Sequence, residues 1–277
     1  MSAGCFICRI VRHQRPGAET GMGFGLYQQY VDCSKKQEFC SGTRLTRTNT
    51  SDMEFCFRSR QFRQSLVLLP GWGFLPAIFS RLDLPFNYIV PSGQISGNIS
   101  DHLLRFMLEN GLERVNILGW SMGGVAAIDF FTSHPELVNA MYLVSLRRSF
   151  SGEEIDAQVR AVESDRDGAL RNFYRRCFAG HKEDYRWFEG TVEGAMTEGI
   201  STEKLIEGLE YLRMNPVDLA GIPEPEGGLQ VFHGTRDLIA PLEEMPALLA
   251  GVNLTLIRGA GHVPFFSREF VRLFRVH

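Results

Sequence analysis

The chain lacks any apolar run long enough to cross a bilayer. Its longest, around Leu66–Pro70, falls far short of the ~20 residues a membrane helix requires. The opening stretch MSAGCFICRIVRH lacks the apolar segment of a secretory signal, so a cytoplasmic protein with no membrane partner is the expectation. A surplus of charge is also missing. Lys and Arg number 29 against 32 Asp and Glu, a net charge of -3, which leaves no electrostatic footprint for nucleic acid.

Cysteine is nearly absent from most of the sequence. Cys5, Cys8, Cys33, Cys40 and Cys56 lie near the start, and Cys177 is the one beyond them. A Cys5-x-x-Cys8 pair with Cys33 and Cys40 invites a zinc reading, but the second pair is separated by six residues and no apolar framework surrounds either. Disulfides are disfavoured in a reducing compartment. These thiols read as incidental, with no metal and no organic cofactor called for.

Residues 1–52 show no sustained apolar period and are rich in Gly, Ser, Thr, Arg and Gln, the pattern of loop or disorder. The pattern changes at Met53, which reads as the start of the fold. Of the 277 residues, 44% are hydrophobic and 22% charged, enough for a substantial core. Short apolar strands then alternate with helices. Strands are expected at Phe55–Phe57, Ser65–Leu69, Phe86–Pro91, Arg114–Trp120, Val138–Ser145, Leu229–Thr235 and Asn253–Gly259. Helices are expected after Ser100 as N-cap up to Gly111, over Met122–Ser133, over Pro241–Gly251, and over Pro264–Val276. This alternation implies an α/β architecture, a mostly parallel sheet with helices on both faces. Residues 147–215 are helical and charge-rich without a strand, a helical lid inserted into a core made of residues 53–146 and 216–277.

Three residues stand out for chemistry. Ser121 lies in VNILGWSMGGVAA, where a strand runs into a helix through Gly119-Trp-Ser-Met-Gly123. Glycines on both sides allow the cramped turn that exposes a serine hydroxyl, and the helix N-terminus favours negative charge there. The same pentapeptide also suits a glycine corner with no chemistry. Asp237 in VFHGTRDLIAP and His262 in LIRGAGHVPF each follow a strand, though alone they read as a turn residue and a loop imidazole. A hydroxyl needs a base and the base needs an orienting acid, so Ser121, Asp237 and His262 in this order, each past a strand, point to a nucleophilic triad. His233 sits within a strand and reads as a packed histidine, His102 and His134 as surface or capping residues, and Asp218 as a runner-up acid without a strand end. The backbone N–H groups of Met122 and of Trp72, in LLPGWGF, are the expected oxyanion donors.

On these motifs the chain from about Met53 resembles the α/β-hydrolase superfamily. LVLLPGWG, LGWSMGG, GLEYLRMNPVDLAGIP and GHVPF are similar to segments of the pimeloyl-[acyl-carrier protein] methyl ester esterases of biotin synthesis. Pro70 departs from the histidine usual before the Gly-Trp. The resemblance implies hydrolysis of the pimeloyl-carrier methyl ester, with Trp72 and Met122 bordering the ester. It also implies Phe173, Tyr174, Arg175, Arg176 and Cys177 along the acyl chain, and an acyl-carrier protein as partner of a monomer. Arg171, Arg175 and Arg176 on one helix face, with Arg147 and Arg148 at the lid's start, are candidate carrier contacts, and a solvated face paired with nearby acids is the alternative. A general short-chain carboxylesterase or another acyl hydrolase or lyase stays open, as does a silent hydrolase fold that binds a small ligand.

Overall fold

The computed structural model describes residues 54–95, 99–247 and 252–274. Residues 1–52, with the zinc reading of Cys5, Cys8, Cys33 and Cys40, lie outside them. The strands are β1 (Phe55–Arg58), β2 (Ser65–Leu69), β3 (Asn87–Pro91), β4 (Val115–Trp120), β5 (Val138–Val144), β6 (Leu229–Gly234) and β7 (Asn253–Ile257). They form one sheet of 7 strands in the order β1-β3-β2-β4-β5-β6-β7. Only β1 runs antiparallel to its neighbour, pairing Phe55 with Pro91, and the other pairings are parallel. β2 and β4 are buried along nearly their whole length, as strands covered on both faces must be. The fold is that of the α/β hydrolases.

Helices α1 (Ile99–Glu109), α2 (Met122–Ser133) and α8 (Arg268–Phe274) accompany the sheet. Between β5 and β6 come α3 (Gly152–Ser164), α4 (Arg166–Cys177), α5 (Lys182–Thr191), α6 (Glu193–Gly199) and α7 (Thr202–Met214). The two stems of this insertion are tied where Val217 N–H donates to the Arg148 carbonyl at 2.7 Å. One apolar cluster runs through both parts: Phe74 of the β2–β3 connection packs on Tyr174 of α4 and Phe188 of α5.

Three local expectations are corrected. Ser100 lies inside the first turn of α1, and its hydroxyl donates to Asp129 Oδ2 at 2.5 Å instead of capping the helix. The continuous helix over Pro264–Val276 is a 3-10 turn, Pro264–Phe266, followed by α8. Ser267 breaks them with extended dihedrals, and its Oγ accepts from Glu269 N–H. In the stretch from Pro241, residues Leu242–Ala247 form a 3-10 helix rather than the start of an α-helix, and 248–251 lie outside the described residues.

Candidate active site

Ser121 sits at the N-cap of α2 with φ 55° and ψ -118°, a positive-φ conformation that a serine avoids. Such a conformation costs about 1–3 kcal/mol and persists only where the surroundings impose it. The imposing contacts are explicit. Ser121 N–H donates to the Val144 carbonyl at 2.9 Å, and the Ser121 carbonyl accepts from Gly124 N–H at 2.8 Å. A Cβ on Gly123 would lie 2.1 Å from the Leu69 carbonyl oxygen, and one on Gly119 would lie 2.4 Å from that of Gly123. The turn is therefore closed by backbone against backbone, and only glycine fits at both positions. Gly71 brings the β2 loop alongside, since a Cβ there would meet Ser121 Cβ at 3.2 Å.

Met122 occupies the first position of α2, so its N–H has no carbonyl a turn earlier to bind and is directed toward whatever sits before the helix. Trp72 lies in the adjacent loop. Its indole N–H donates to the Leu205 carbonyl of α7 at 2.7 Å, and Phe173 of α4 packs edge-on against its ring at 4.7 Å. The indole is thus a tie to the insertion. Gly208 of α7 is a contact that the sequence did not single out. A Cβ there would touch Trp72 Cδ1 at 2.8 Å and Met122 Sδ at 3.3 Å, so α7 seats directly over both candidate oxyanion residues. The signal available was a glycine inside a helical pattern, which costs helix stability and asks for a packing reason.

At the ends of β6 and β7, Asp237 and His262 meet. His262 Nδ1 lies 2.8 Å from Asp237 Oδ2, and both side chains are buried. The other carboxylate oxygen accepts from the N–H groups of Ile239 at 2.8 Å and Ala240 at 2.9 Å. Burial alone would raise the Asp237 pKa. Electrostatic attraction and the hydrogen bond from His262, then His233 and the Ala240 amide, outweigh it and hold the carboxyl below its usual range. An ionised Asp237 fixes the proton on Nδ1, leaving Nε2 as a bare lone pair, and that nitrogen is buried without a partner.

Trp120, immediately before Ser121, links the two halves. Its indole N–H donates to the His262 carbonyl at 2.7 Å, and its ring centroid lies 5.6 Å from the imidazole. The histidine loop is also held from above, where His262 N–H donates to the Cys177 carbonyl at the end of α4 at 2.9 Å. Gly261 permits this approach, because a Cβ there would lie 2.5 Å from the Ala179 carbonyl oxygen.

Among the insertion residues, Phe173 faces Trp72. Tyr174 is wholly buried, and its hydroxyl donates to the Gly73 carbonyl at 2.8 Å. Cys177 is wholly buried as well; burial, with the Asp237 charge adding to it, pushes its thiol pKa well up. Arg171, Arg175 and Arg176 do not share a face. Arg171 and Arg175 lie one turn apart near Glu193, whereas Arg176, about 140° further round from Arg171, donates to the Leu238 carbonyl at 2.8 Å. Arg147 is engaged by Glu154 and Glu244, and Arg148 is exposed. Asp218 is exposed and accepts from Ala220 N–H, far in role from a buried acid. His134 terminates α2. Among the described residues no group of three or more His, Cys, Asp or Glu could hold a metal ion, and no helix is long and apolar enough to cross a membrane.

The chain is similar to curated proteins named pimeloyl-[acyl-carrier protein] methyl ester esterase. The relative from Chromobacterium violaceum is 26% identical over 238 residues, which cover 76% of this chain and 93% of that protein. The relative from Aromatoleum aromaticum is 25% identical over 243 residues, covering 74% and 93%. Among solved structures, a bromoperoxidase from Bacillus anthracis superposes with a TM-score of 0.66 at 17% identity, over 81% of this chain and 96% of that one. An esterase from Exiguobacterium antarcticum gives 0.61 at 20% identity, over 81% and 92%. The alpha/beta hydrolase family matches residues 63–275, and the chain belongs to it.

Proposed function

We propose that the chain is a serine carboxylesterase whose substrate is the methyl ester of pimeloyl-[acyl-carrier protein]. The observation that carries the esterase reading is the buried Asp237–His262 pair at 2.8 Å, with Nε2 unpaired, braced by Trp120 next to a strained Ser121. Nε2 of His262 takes the Ser121 proton as the hydroxyl attacks the ester carbonyl. Asp237 holds the imidazole tautomer and stabilises the imidazolium that forms. The amides of Trp72 and Met122 receive the negative charge that develops on the carbonyl oxygen, a contribution of roughly 100- to 1000-fold per donor in such sites. The proton on His262 then passes to methanol as it leaves, and water hydrolyses the acyl-enzyme through the same base.

The choice of substrate is supported by the relatives named for it, at 25–26% identity over most of their length. The acyl chain would lie under α7 and Phe173, beside Trp72. Arg148 and Arg171 are exposed and would face an acidic carrier, whereas Arg147, Arg175 and Arg176 are bound within the fold.

Purified enzyme should release methanol from methyl pimeloyl-carrier with a higher kcat/KM than it shows on p-nitrophenyl acetate or butyrate. The gene should also restore growth to a biotin auxotroph lacking its own esterase. Ser121→Ala should abolish turnover in both assays without loss of fold. Preference for the small esters would overturn the carrier substrate, and retained activity in Ser121→Ala would overturn the esterase.

A further inference from the structure

His233 is the buried titratable group that the mechanism above leaves unused. It lies in β6 and is fully buried, four residues before Asp237. Its Nε2 lies 2.8 Å from the Ala240 carbonyl oxygen and 3.9 Å from Asp237 Oδ2. A carbonyl only accepts, so Nε2 carries the proton, and Nδ1 is bare and buried without a partner.

Ala240 is therefore held through both of its backbone polar groups. Its N–H binds Asp237 Oδ1 at 2.9 Å, and its carbonyl binds His233 at 2.8 Å. Together with the Ile239 amide, these bonds close the turn that aims Asp237 Oδ2 at His262 Nδ1. We infer that His233 is a positioning residue: it locks the turn from Asp237 to Ala240, and so fixes the orientation in which the acid meets His262.

The charged and titratable groups around it explain why a neutral imidazole is needed. Asp237 faces it from its own loop, His262 from the loop after β7, and the Cys177 thiol, at the end of α4, lies within electrostatic range of Asp237. Burial lowers the His233 pKa, the Asp237 charge and the Ala240 bond oppose this, and His262 adds to the fall. A neutral His233 leaves the Asp237 charge committed to His262. A protonated one would draw on the same carboxylate oxygen and weaken its hold on the base.

This role rests on the esterase reading only for its effect on rate, so the test includes a readout independent of activity. His233→Leu keeps bulk without a donor, and His233→Gln keeps an N–H at similar reach. Each variant is checked for folding by thermal melt. The Asp237-bound proton of His262 is then followed as a downfield resonance by NMR on histidine-labelled protein. Ser121 labelling by a fluorophosphonate and the pH profile of kcat/KM on p-nitrophenyl butyrate complete the set.

In His233→Leu the downfield resonance should shift or vanish, labelling should slow by about 10- to 100-fold, and the base's kinetic pKa should move, consistent with the rate cost of a small misplacement of a catalytic group. His233→Gln should recover most of all three. Where His233→Leu does not fold, His233→Asn, whose amide is too short to reach Ala240, takes its place. A folded variant without the donor that keeps the wild-type resonance, labelling rate and pH profile overturns the inference. A shifted resonance in a protein whose Ser121 never labels supports the positioning role while sinking the esterase reading.

Discussion

The carboxyl edge of the sheet and the helical insertion meet over Ser121, yet they contribute to the site by different means. At the edge, geometry is set by main chain against main chain. Gly119, Gly123 and Gly234 stand where any Cβ would strike a carbonyl, and Ser121 is forced into a strained turn. The insertion contributes helix carbonyls and side-chain packing. Leu205 and Cys177 offer carbonyls to Trp72 and to the His262 backbone, and Gly208 and Phe173 pack on Trp72. The edge should therefore tolerate almost nothing, whereas the insertion should give way gradually. That contrast is testable by substitutions of matched chemistry on the two sides.

The largest effect is expected at the edge. Asp237→Asn preserves shape, and its carbonyl oxygen can still accept from Ile239 and Ala240. Its amide would then point at His262 Nδ1–H, forcing the wrong tautomer or a turned ring. Turnover should fall by about 10⁴-fold with the melting temperature little changed. A loss below tenfold would mean the edge does not set the base.

Matched glycine substitutions come next. Gly123→Ala puts a Cβ 2.1 Å from the Leu69 carbonyl oxygen and 2.8 Å from that of Pro70, both backbone atoms with no room to move. Destabilisation beyond ~4 kcal/mol is expected, seen as loss of soluble, cooperatively melting protein. Gly208→Ala meets only side chains, of Trp72, Gln94 and Met122, and gains up to ~1 kcal/mol of helix propensity. Because the indole is pinned by Leu205 and Phe173, the substitution should cost about 1–3 kcal/mol, less than Gly123→Ala, and alter KM as Trp72 and Met122 shift. Equal damage from both would break the contrast.

A finer pair compares the two indoles. Trp120→Phe and Trp72→Phe each keep a ring and delete an N–H. The first deletes the Trp120 bond to the buried His262 carbonyl and should cost about 1–3 kcal/mol together with a lower kcat. The second removes a donor from Leu205, whose carbonyl also lies within the hydrogen-bond ladder of α7, so the cost should be nearer 1 kcal/mol. Urea denaturation paired with steady-state kinetics separates them, and a more costly Trp72→Phe would place the rigid element in the insertion.

The same division explains what was legible in the sequence. β2 at Ser65–Leu69 and α2 at Met122–Ser133 coincide with the expectation because local chemistry bounds them: Pro70 after an apolar run, the Gly-x-Ser-x-Gly turn, and Pro135 after the helix. The acid and the histidine could be found because each follows a strand whose pattern is local. The helices of the insertion could be read as helices, but periodicity gives a face and not the partner that covers it. Arg171, Arg175 and Arg176 illustrate the limit. Their spacing suggests one face, whereas Arg176 turns away to the Leu238 carbonyl. The Tyr174 hydroxyl and the Cys177 carbonyl bind Gly73 and the His262 backbone, contacts between segments about a hundred residues apart that no local pattern encodes.

The smallest effect should arise where the two regions exchange charge. Arg147, on the stem of the insertion, donates to Glu244 at 2.7 Å beyond the acid loop and to Glu154 at 2.9 Å in the first turn of α3, and lies over the Phe150 ring. Glu154 serves the α3 capping box as well, accepting from Ser151 N–H at 2.9 Å. Burial would lower the Arg147 pKa, but the two carboxylates outweigh it and raise it. Both glutamates are more than a third exposed, so water and salt screen the attraction. Arg147→Ala should cost about 1 kcal/mol, part of it lost packing on Phe150, and lower the melting temperature by roughly 2–4 °C. The difference from wild type should shrink in high salt, and kcat/KM on p-nitrophenyl butyrate should not change. A large loss of activity would mean that the insertion transmits its position to Asp237 through charge, and that the edge is less self-sufficient than its glycines and main-chain bonds make it.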